Sequence, residues 1–324
     1  MATGQSERRE GLRVAVTGAS GDLASLLLPL LERDEGVQSV LALDTSRPER
    51  LGAKTQFRRV NLARPESERL LVEAFEESEI DAVVHLALPL SPAGMGALAH
   101  ELEVAGTLNV LSASARARVR RLVVASYTVV YGARGQNPAY LSEGAELYGC
   151  PGSRFVTDKV EVERQVEGFR KAHPETKVLV LRFAPVLGPR VDNPVMRLLR
   201  TRAVPTLLGF DPNWQALHEE DAVEALHRAV HAGAEGALNV VGPGVVSFSG
   251  LVRLAGGHVV PLPGGVARAA LGVLGRLGLS SGKPGLLDYI RYSWVADGSR
   301  AERELGFVPR YDTRAAAAAL QERA

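Results

Sequence analysis

Two glycines and a carboxylate have the types and the spacing to bind a phosphate-linked ligand. Gly18 and Gly21 stand in residues 17–24, after a β-branched run at 12–17 and before a helical pattern. Such a turn lets a pyrophosphate approach backbone N–H groups at a helix N-terminus, where the helix dipole favours an anion. Asp44 ends the next strand-like run, where a carboxylate accepts hydrogen bonds from ribose hydroxyls. The pattern predicts a dinucleotide site, and a plain glycine turn is the alternative.

The charge of Asp44 bears on which dinucleotide is bound. Arg47, three residues further on, is able to pair with the 2′-phosphate of NADP, but Asp44 would repel that phosphate. NAD is therefore the expected cofactor, and NADP remains the alternative. Within the glycine turn, we expect Ser20, Asp22 and Leu23 to complete the cofactor site.

Alternating strands and helices must position this site. Apolar, β-branched runs are found at 12–17, 39–43, 82–86, 122–126 and 177–182, and helical patterns at 23–31, 67–75, 96–115 and 155–171. Strands that are apolar on both faces and alternate with helices predict an α/β fold with a doubly wound parallel sheet, the Rossmann fold. Residues 11–182 form the predicted dinucleotide-binding domain. Glycine and proline become frequent afterwards, which predicts a smaller substrate-binding domain at 183–324, with segments near 216–241 returning to the first domain.

Composition excludes several classes of protein. The chain of 324 residues carries 38 Lys plus Arg and 37 Asp plus Glu, and this balance gives no field that would gather nucleic acid or an anionic membrane. The single cysteine, Cys150, excludes an intramolecular disulfide framework and a multi-cysteine metal site, and no metal site is predicted. A lone cysteine suits a reducing compartment, and the first ten residues lack the apolar stretch of a secretion signal. We therefore expect a cytoplasmic protein.

The order of several short motifs resembles the extended short-chain dehydrogenase/reductase family, also called the NAD-dependent epimerase/dehydratase family. The resemblance covers nearly the whole chain and rests on residues 17–24, 61–62, 85–87, 106–111, 130–132, 159, 182–189, 218–222 and 297–309. It implies that the adenine lies near Asn61 and Leu62. It also implies that Leu86, Ala87 and Phe183 line the path of the cofactor, and that Lys159 contacts the nicotinamide ribose. A homodimer through the helices at 96–115 and 153–170 is implied as well.

The resemblance departs from the family at two catalytic positions. Members usually carry Ser or Thr four residues before Tyr131, and Tyr four residues before the active-site lysine, but this chain has Tyr127 and Phe155 there. In the family mechanism that second tyrosine exchanges a proton with the substrate oxygen while a hydride moves to or from the nicotinamide. Phenylalanine has no such proton, and acid–base assistance is worth roughly a hundredfold to ten-thousandfold in rate. Glu103 stands where many members have asparagine.

Three functions remain open from the sequence. The favoured one is a dinucleotide-binding protein with lost or much reduced catalysis, a pseudoenzyme that senses cofactor or ligand or serves as a scaffold. The second is an active NAD-dependent oxidoreductase or epimerase on a nucleotide sugar or a small carbonyl compound, with Tyr127 and Lys159 as its catalytic pair. The third is a structural protein with an empty cleft. The small-molecule partner itself is not identified by any motif.

Overall fold

The computed structural model describes residues 11–87, 96–269 and 284–321, so the polar first ten residues lie outside it. The strands, in chain order, are β1 (Leu12–Thr17), β2 (Val37–Asp44), β3 (Thr55–Arg59), β4 (Ala82–His85), β5 (Arg121–Tyr127), β6 (Lys177–Phe183), β7 (Val186–Leu187), β8 (Ala203–Leu207), β9 (Asn213–Trp214), β10 (Leu217–His218), β11 (Gly236–Val240), β12 (Val246–Ser247) and β13 (His258–Leu262).

The helices cover both faces of the main sheet and build most of the rest. They are α1 (Asp22–Arg33), α2 (Ser67–Glu77), α3 (Gly96–His100), α4 (Gly106–Arg116), α5 (Arg154–Ala172), α6 (Pro194–Leu199), α7 (Glu219–His231), α8 (Phe248–Leu254), α9 (Ser299–Leu305) and α10 (Thr313–Ala318). A π-helical turn occupies Glu101–Ala105, and 3₁₀ turns occupy Thr128–Tyr131 and Pro284–Ile290. Among the described helices, none combines the length and the apolar character needed to cross a membrane.

Seven strands form one sheet in the order β11-β6-β5-β4-β1-β2-β3, and every neighbouring pair is parallel. The predicted Rossmann fold is thereby confirmed. The direction of strand order reverses between β1 and β4, where Thr17 lies opposite His85. In open α/β sheets, ligands bind outside the carboxyl ends of the strands at such a switch point. The remaining short strands pair outside this sheet as β7 with β10, β8 with β13 and β9 with β12.

Alternate residues of each central strand enter two separate cores. Val14 and Val16 of β1 are fully buried on the face covered by α1 and α7, whereas Ala15 is fully buried on the face covered by α2 and α4. Burial on both faces explains the near-continuous apolar runs from which the parallel sheet was predicted. The edge strand β11 lies beside β6, so a late segment of the chain completes the main sheet.

The helix expected at 96–115 is interrupted. Its two α-helical parts, α3 and α4, are separated by the π-helical turn Glu101–Ala105. At the end of this turn the hydroxyl of Thr107 donates to the carbonyl of Glu103. A π-helical turn inserts an extra residue into the helical repeat and so re-aims the side chains beside it. Here the side chain concerned is that of Glu103, which is directed into the protein.

Candidate functional site

The glycine turn between β1 and α1 lies against the end of β4. Gly18 has a φ of +71°, and a Cβ added to it would lie 2.6 Å from the backbone nitrogen of Ala87. Only glycine combines that backbone conformation with that close approach. The N–H of Gly18 donates to the carbonyl of Leu43 at 3.0 Å, which fixes the turn beside β2.

Helix α1 presents its N-terminus to the same edge of the sheet. Gly21 is its N-cap residue, and the N–H of Ser25 donates to the carbonyl of Gly21 at 2.9 Å. The N–H groups of Asp22 and Leu23 belong to the first turn, where a helix offers them no acceptor of its own. The carboxylate of Asp22 accepts a hydrogen bond from the N–H of Asp192 at 2.7 Å, which ties the loop after β7 to the start of α1.

Asp44 closes the glycine turn from the end of β2. Its Oδ2 accepts hydrogen bonds from Ser20, at 2.9 Å from the backbone nitrogen and 2.8 Å from the hydroxyl. Its Oδ1 accepts from the N–H of Thr45 at 2.6 Å. The carboxylate predicted to bind ribose therefore lies next to the turn predicted to bind pyrophosphate. Arg47 is exposed and lines a groove together with Ser20, so the group considered for a 2′-phosphate is also nearby.

The residues expected near the adenine lie on the other side of the turn. The side-chain oxygen of Asn61 accepts from the N–H of Ala63 at 3.1 Å, which orders the turn after β3. Leu62 is buried against Gly106, where an added Cβ would lie 3.0 Å from the Cβ of Leu62. Leu86 is half-buried, and its N–H donates to the carbonyl of Thr17 at 3.1 Å. The structure thus brings these residues to one edge of the sheet.

A small apolar cavity of about 120 Å³ lies at the carboxyl ends of β5 and β6. Elements far apart in the chain line it: the first turn of α1, the start of α5, the strand ends and the loop that leads into α6. Its lining residues are Leu23, Tyr127, Thr128, Val129, Phe155, Lys159, Phe183, Pro185, Val186, Val191, Asn193, Pro194, Val195 and Trp294. The three residues expected beside a nicotinamide, Phe155, Lys159 and Phe183, therefore share one cavity.

The ammonium group of Lys159 is held by a buried carboxylate. Its Nζ lies 2.9 Å from Oε1 of Glu103, and both side chains are only 2% exposed. The Nζ also lies 4.5 Å from the ring centre of Phe155 and 5.0 Å from that of Tyr127. Burial raises the pKa of Glu103 even though the neighbouring Lys159 opposes the shift. The positive charge is thus countered within the protein, next to the aromatic rings of the cavity.

The phenol of Tyr127 is shifted away from acid–base use. Burial raises its pKa well above the ordinary value, and the carboxylates of Glu103 and Asp22 add to the increase. Its ring lies 6.4 Å from that of Phe183. A general acid or base works best with a pKa near the operating pH, and the raised pKa of Tyr127 lies further from that range than the pKa of an ordinary phenol.

Sequence reasoning missed Thr128 as a cavity residue. It directly follows Tyr127, begins the 3₁₀ turn and is 2% exposed, and it lines the same cavity. The only signal in the sequence was its position one residue after a family catalytic position, where a hydroxyl is not expected.

Tyr131 belongs to a buried polar network rather than to the cavity. Its hydroxyl donates to Oδ1 of Asn239 at 2.6 Å and accepts from Nη1 of Arg182 at 2.8 Å. Arg182 also pairs with Glu163, at 2.6 Å between Nη2 and Oε2, and Glu163 accepts from the hydroxyl of Ser126 at 2.5 Å. These bonds join β5, β6, β11 and α5, so they hold the two strands whose ends form the cavity.

His85 has a structural position as well. It is fully buried, with Nδ1 2.7 Å from the hydroxyl of Thr17 and Nε2 3.0 Å from that of Thr107. Burial lowers its pKa to about 4, so the ring is neutral at physiological pH. It links β1, β4 and α4 beneath the glycine turn and does not line the cavity.

Comparison with known proteins places this geometry in a family. Residues 14–242 match the model of the NAD dependent epimerase/dehydratase family. An uncharacterised protein of Mycobacterium tuberculosis is 32% identical over 310 residues, which cover 93% of this chain and 81% of the relative. The UDP-glucose 4-epimerase 3 of Oryza sativa subsp. japonica is 28% identical over 198 residues, 57% of this chain and 52% of that protein.

Solved structures agree over almost the full chain. MoeE5, in complex with UDP-glucuronic acid and NAD, is 25% identical with a TM-score of 0.72, over 96% of this chain and 98% of that one. The dTDP-glucose 4,6-dehydratase of Bacillus anthracis, in complex with NAD, is 15% identical with a TM-score of 0.73, over 97% of each chain. The family expected from the motifs is confirmed, and with it NAD as the cofactor at the level of the family. The chain belongs to the NAD-dependent epimerase/dehydratase family.

Proposed function

We propose that this protein binds NAD and performs little or no proton-coupled hydride transfer, acting instead through the bound state as a sensor of cofactor or ligand, or as a scaffold. The observation that carries the proposal is the cavity at the ends of β5 and β6. It has Phe155 where a proton donor is expected, a lysine paired with Glu103, and a tyrosine whose pKa is raised.

Binding of NAD is supported by the fit of three groups. The turn at Gly18 has no room for a side chain beside Ala87, as expected where a backbone must approach a pyrophosphate. The first N–H groups of α1 face the same edge, and Asp44 stands beside them to accept the ribose hydroxyls. MoeE5, similar over nearly the whole chain, was solved with NAD.

Reduced catalysis is supported by the chemistry of the cavity. When bound, NAD supplies a nicotinamide ring able to accept a hydride. The substrate must then lose a proton from oxygen, and the chain has to take it up. Phe155 offers no acceptor, and Lys159 is engaged by the carboxylate of Glu103. In this proposal Lys159 and the apolar lining orient the ring and exclude water, without moving a proton.

The test combines binding with turnover. Calorimetry with NAD should give saturable binding, while UDP-glucose, UDP-glucuronic acid and dTDP-glucose, the sugar nucleotides of the similar proteins, should show no product by chromatography over long incubation. The matched variant is Phe155→Tyr combined with Tyr127→Ser, which restores both family hydroxyls. We expect it to bind NAD equally well and to gain at least about tenfold in any residual rate. Rapid turnover by the unaltered protein would contradict the proposal.

An active enzyme is the second candidate, and one contact favours it. The ring of Tyr127 lies 5.0 Å from Nζ of Lys159, and both residues line the same cavity. In that case Tyr127 would exchange the proton with the substrate oxygen and Lys159 would orient the ribose. Turnover of a nucleotide sugar or small carbonyl compound, abolished in Tyr127→Phe but retained in Phe155→Leu, would establish it.

A homodimer through α3, α4 and α5 completes the proposal. Leu98 and Leu108 are half-exposed on the first two of these helices, at 50% and 48% of their surface. Two apolar side chains on helices of the expected interface support a second copy as the partner. Light scattering after gel filtration should give twice the chain mass. Leu108→Glu should lower the measured mass towards that of the monomer, whereas the control Leu208→Glu, on another surface, should leave it unchanged.

A further inference from the structure

Three metal-ligating side chains converge where α1 ends beside the last turns of α7. His227 and His231 are four residues apart on α7, and their Nε2 atoms lie 2.6 and 2.7 Å from Oδ2 of Asp34. The ligand atoms of all three residues lie within 4.8 Å of one another. Residues four apart on a helix lie on the same face, so both rings are directed at the same carboxylate oxygen.

The backbone holds this cluster in place. Asp34 is the C-cap residue of α1, and its Oδ1 accepts the N–H of Gly36 at 2.8 Å, which turns Oδ2 towards the two rings. The two helices are packed together by fully buried leucines, among them Leu31 of α1 and Leu226 of α7. The backbone positions of the three donors are therefore fixed, and the side chains have to move apart from their 2.6 and 2.7 Å hydrogen-bond distances to admit the ion.

The donor set and its exposure suit a transition metal. Two imidazole nitrogens and one carboxylate oxygen are ligands that Zn²⁺ accepts at about 2.0–2.2 Å, with a water as the fourth ligand of a tetrahedron. The side chains of His227 and His231 are 26% and 38% exposed, which leaves access for that water. The ammonium of Lys54 donates to the backbone carbonyl of Asp34 at 2.7 Å. Its positive charge weakens the negative electrostatic potential at the cluster and so opposes the binding of a metal cation there.

We propose that Asp34, His227 and His231 form a binding site for Zn²⁺. To bind the ion through Nε2, each neutral ring carries its single proton on Nδ1, which leaves the Nε2 lone pair free to coordinate the metal. The site lies at the opposite end of α1 from the glycine turn, about 18 Å away for a helix of this length. It joins α1 to α7 and is independent of the function proposed for the cofactor site. It departs from the sequence expectation of no metal site.

The test uses the full chain without a histidine tag, stripped with a chelator and titrated with Co²⁺ and then Zn²⁺. We expect the visible absorption of tetrahedral Co²⁺, its loss on adding Zn²⁺, one Zn²⁺ per chain by calorimetry and a raised melting temperature. His231→Gln should weaken Zn²⁺ binding at least about tenfold, since even the loss of an outer partner costs that much. The matched control is His173→Gln, an exposed histidine that also pairs with one carboxylate, Glu175; it should bind like the unaltered protein.

Two outcomes would overturn the proposal. One is the absence of tetrahedral Co²⁺ absorption in the unaltered protein, which would leave the cluster as a hydrogen-bonded link between helices. The other is equal Zn²⁺ affinity in His231→Gln, His173→Gln and the unaltered protein, which would place any bound zinc elsewhere. Asp34→Asn provides a second ligand variant if His231→Gln does not fold, as judged by circular dichroism.

Discussion

Replacing Lys159 by methionine is expected to destabilise the protein by an amount that depends on pH. The change removes the cation from a carboxylate that is 2% exposed, so solvent screens little of the loss. Breaking a buried pair by removing one partner costs about 3–5 kcal/mol in the free energy of unfolding. Burial already raises the pKa of Glu103, and Lys159 is the main group that opposes this shift. Its removal therefore raises the pKa further.

The sign of the pH dependence follows from linkage. A carboxyl whose pKa is higher in the folded than in the unfolded protein binds its proton more tightly in the folded protein. Its favourable contribution to the free energy of unfolding is therefore complete below the unfolded pKa and is lost as pH rises through the native pKa. Each unit of difference is worth about 1.4 kcal/mol. Lys159→Met should therefore lose more stability near pH 8, where unpaired Glu103 must ionise, than near pH 5, where it stays neutral.

Urea unfolding at about pH 5 and about pH 8 measures both quantities. The double variant Lys159→Met with Glu103→Leu removes both charges and should recover most of the stability, because apolar replacement of a buried pair is often neutral or stabilising. Equal losses at the two pH values in the single variant would refute the reasoning. So would a double variant no more stable than the single one at the higher pH.

Three further changes test other parts of the structure. Gly18→Ala should abolish NAD binding in calorimetry, because its Cβ would lie 2.6 Å from a backbone nitrogen. The control Gly168→Ala, where the added Cβ meets open space in α5, should bind NAD normally and raise the free energy of unfolding by up to about 1 kcal/mol. Retained NAD binding in Gly18→Ala would contradict the proposed turn. Asp44→Asn should weaken NAD binding about tenfold or more, as expected for the loss of a hydrogen bond to a charged group, which is worth about 1.5–3 kcal/mol. It should also reduce the ratio of NAD affinity to NADP affinity. An unchanged affinity for NAD would show that Asp44 does not belong to the site. Arg182→Met should lower the free energy of unfolding by about 3–5 kcal/mol by leaving Glu163 buried and unpaired, and a loss below about 1 kcal/mol in urea unfolding would argue against the network.

The sequence determined the sheet and predicted the residues of the glycine turn and of the strand end beside it. Apolar, β-branched runs predicted β1 and the strands beside it because a central parallel strand is buried on both faces, and this requirement is written directly into neighbouring residues. Gly18 was recognisable because a left-handed turn and a close backbone approach allow no other residue. Asp44 followed from its place at a strand end, and the alteration at Phe155 was visible from the resemblance to the family.

Only the tertiary structure decided which distant groups meet. Lys159 and Glu103 are 56 residues apart, and the Glu103 carboxylate that meets Lys159 is buried in the π-helical turn that breaks the helix expected at 96–115. The cavity gathers residues from as far apart as Leu23 and Trp294. His227 and Asp34, 193 residues apart, come together only when α1 packs on α7. Local patterns fix which face of an element is buried, but the pairing of side chains across elements depends on packing that no local pattern contains.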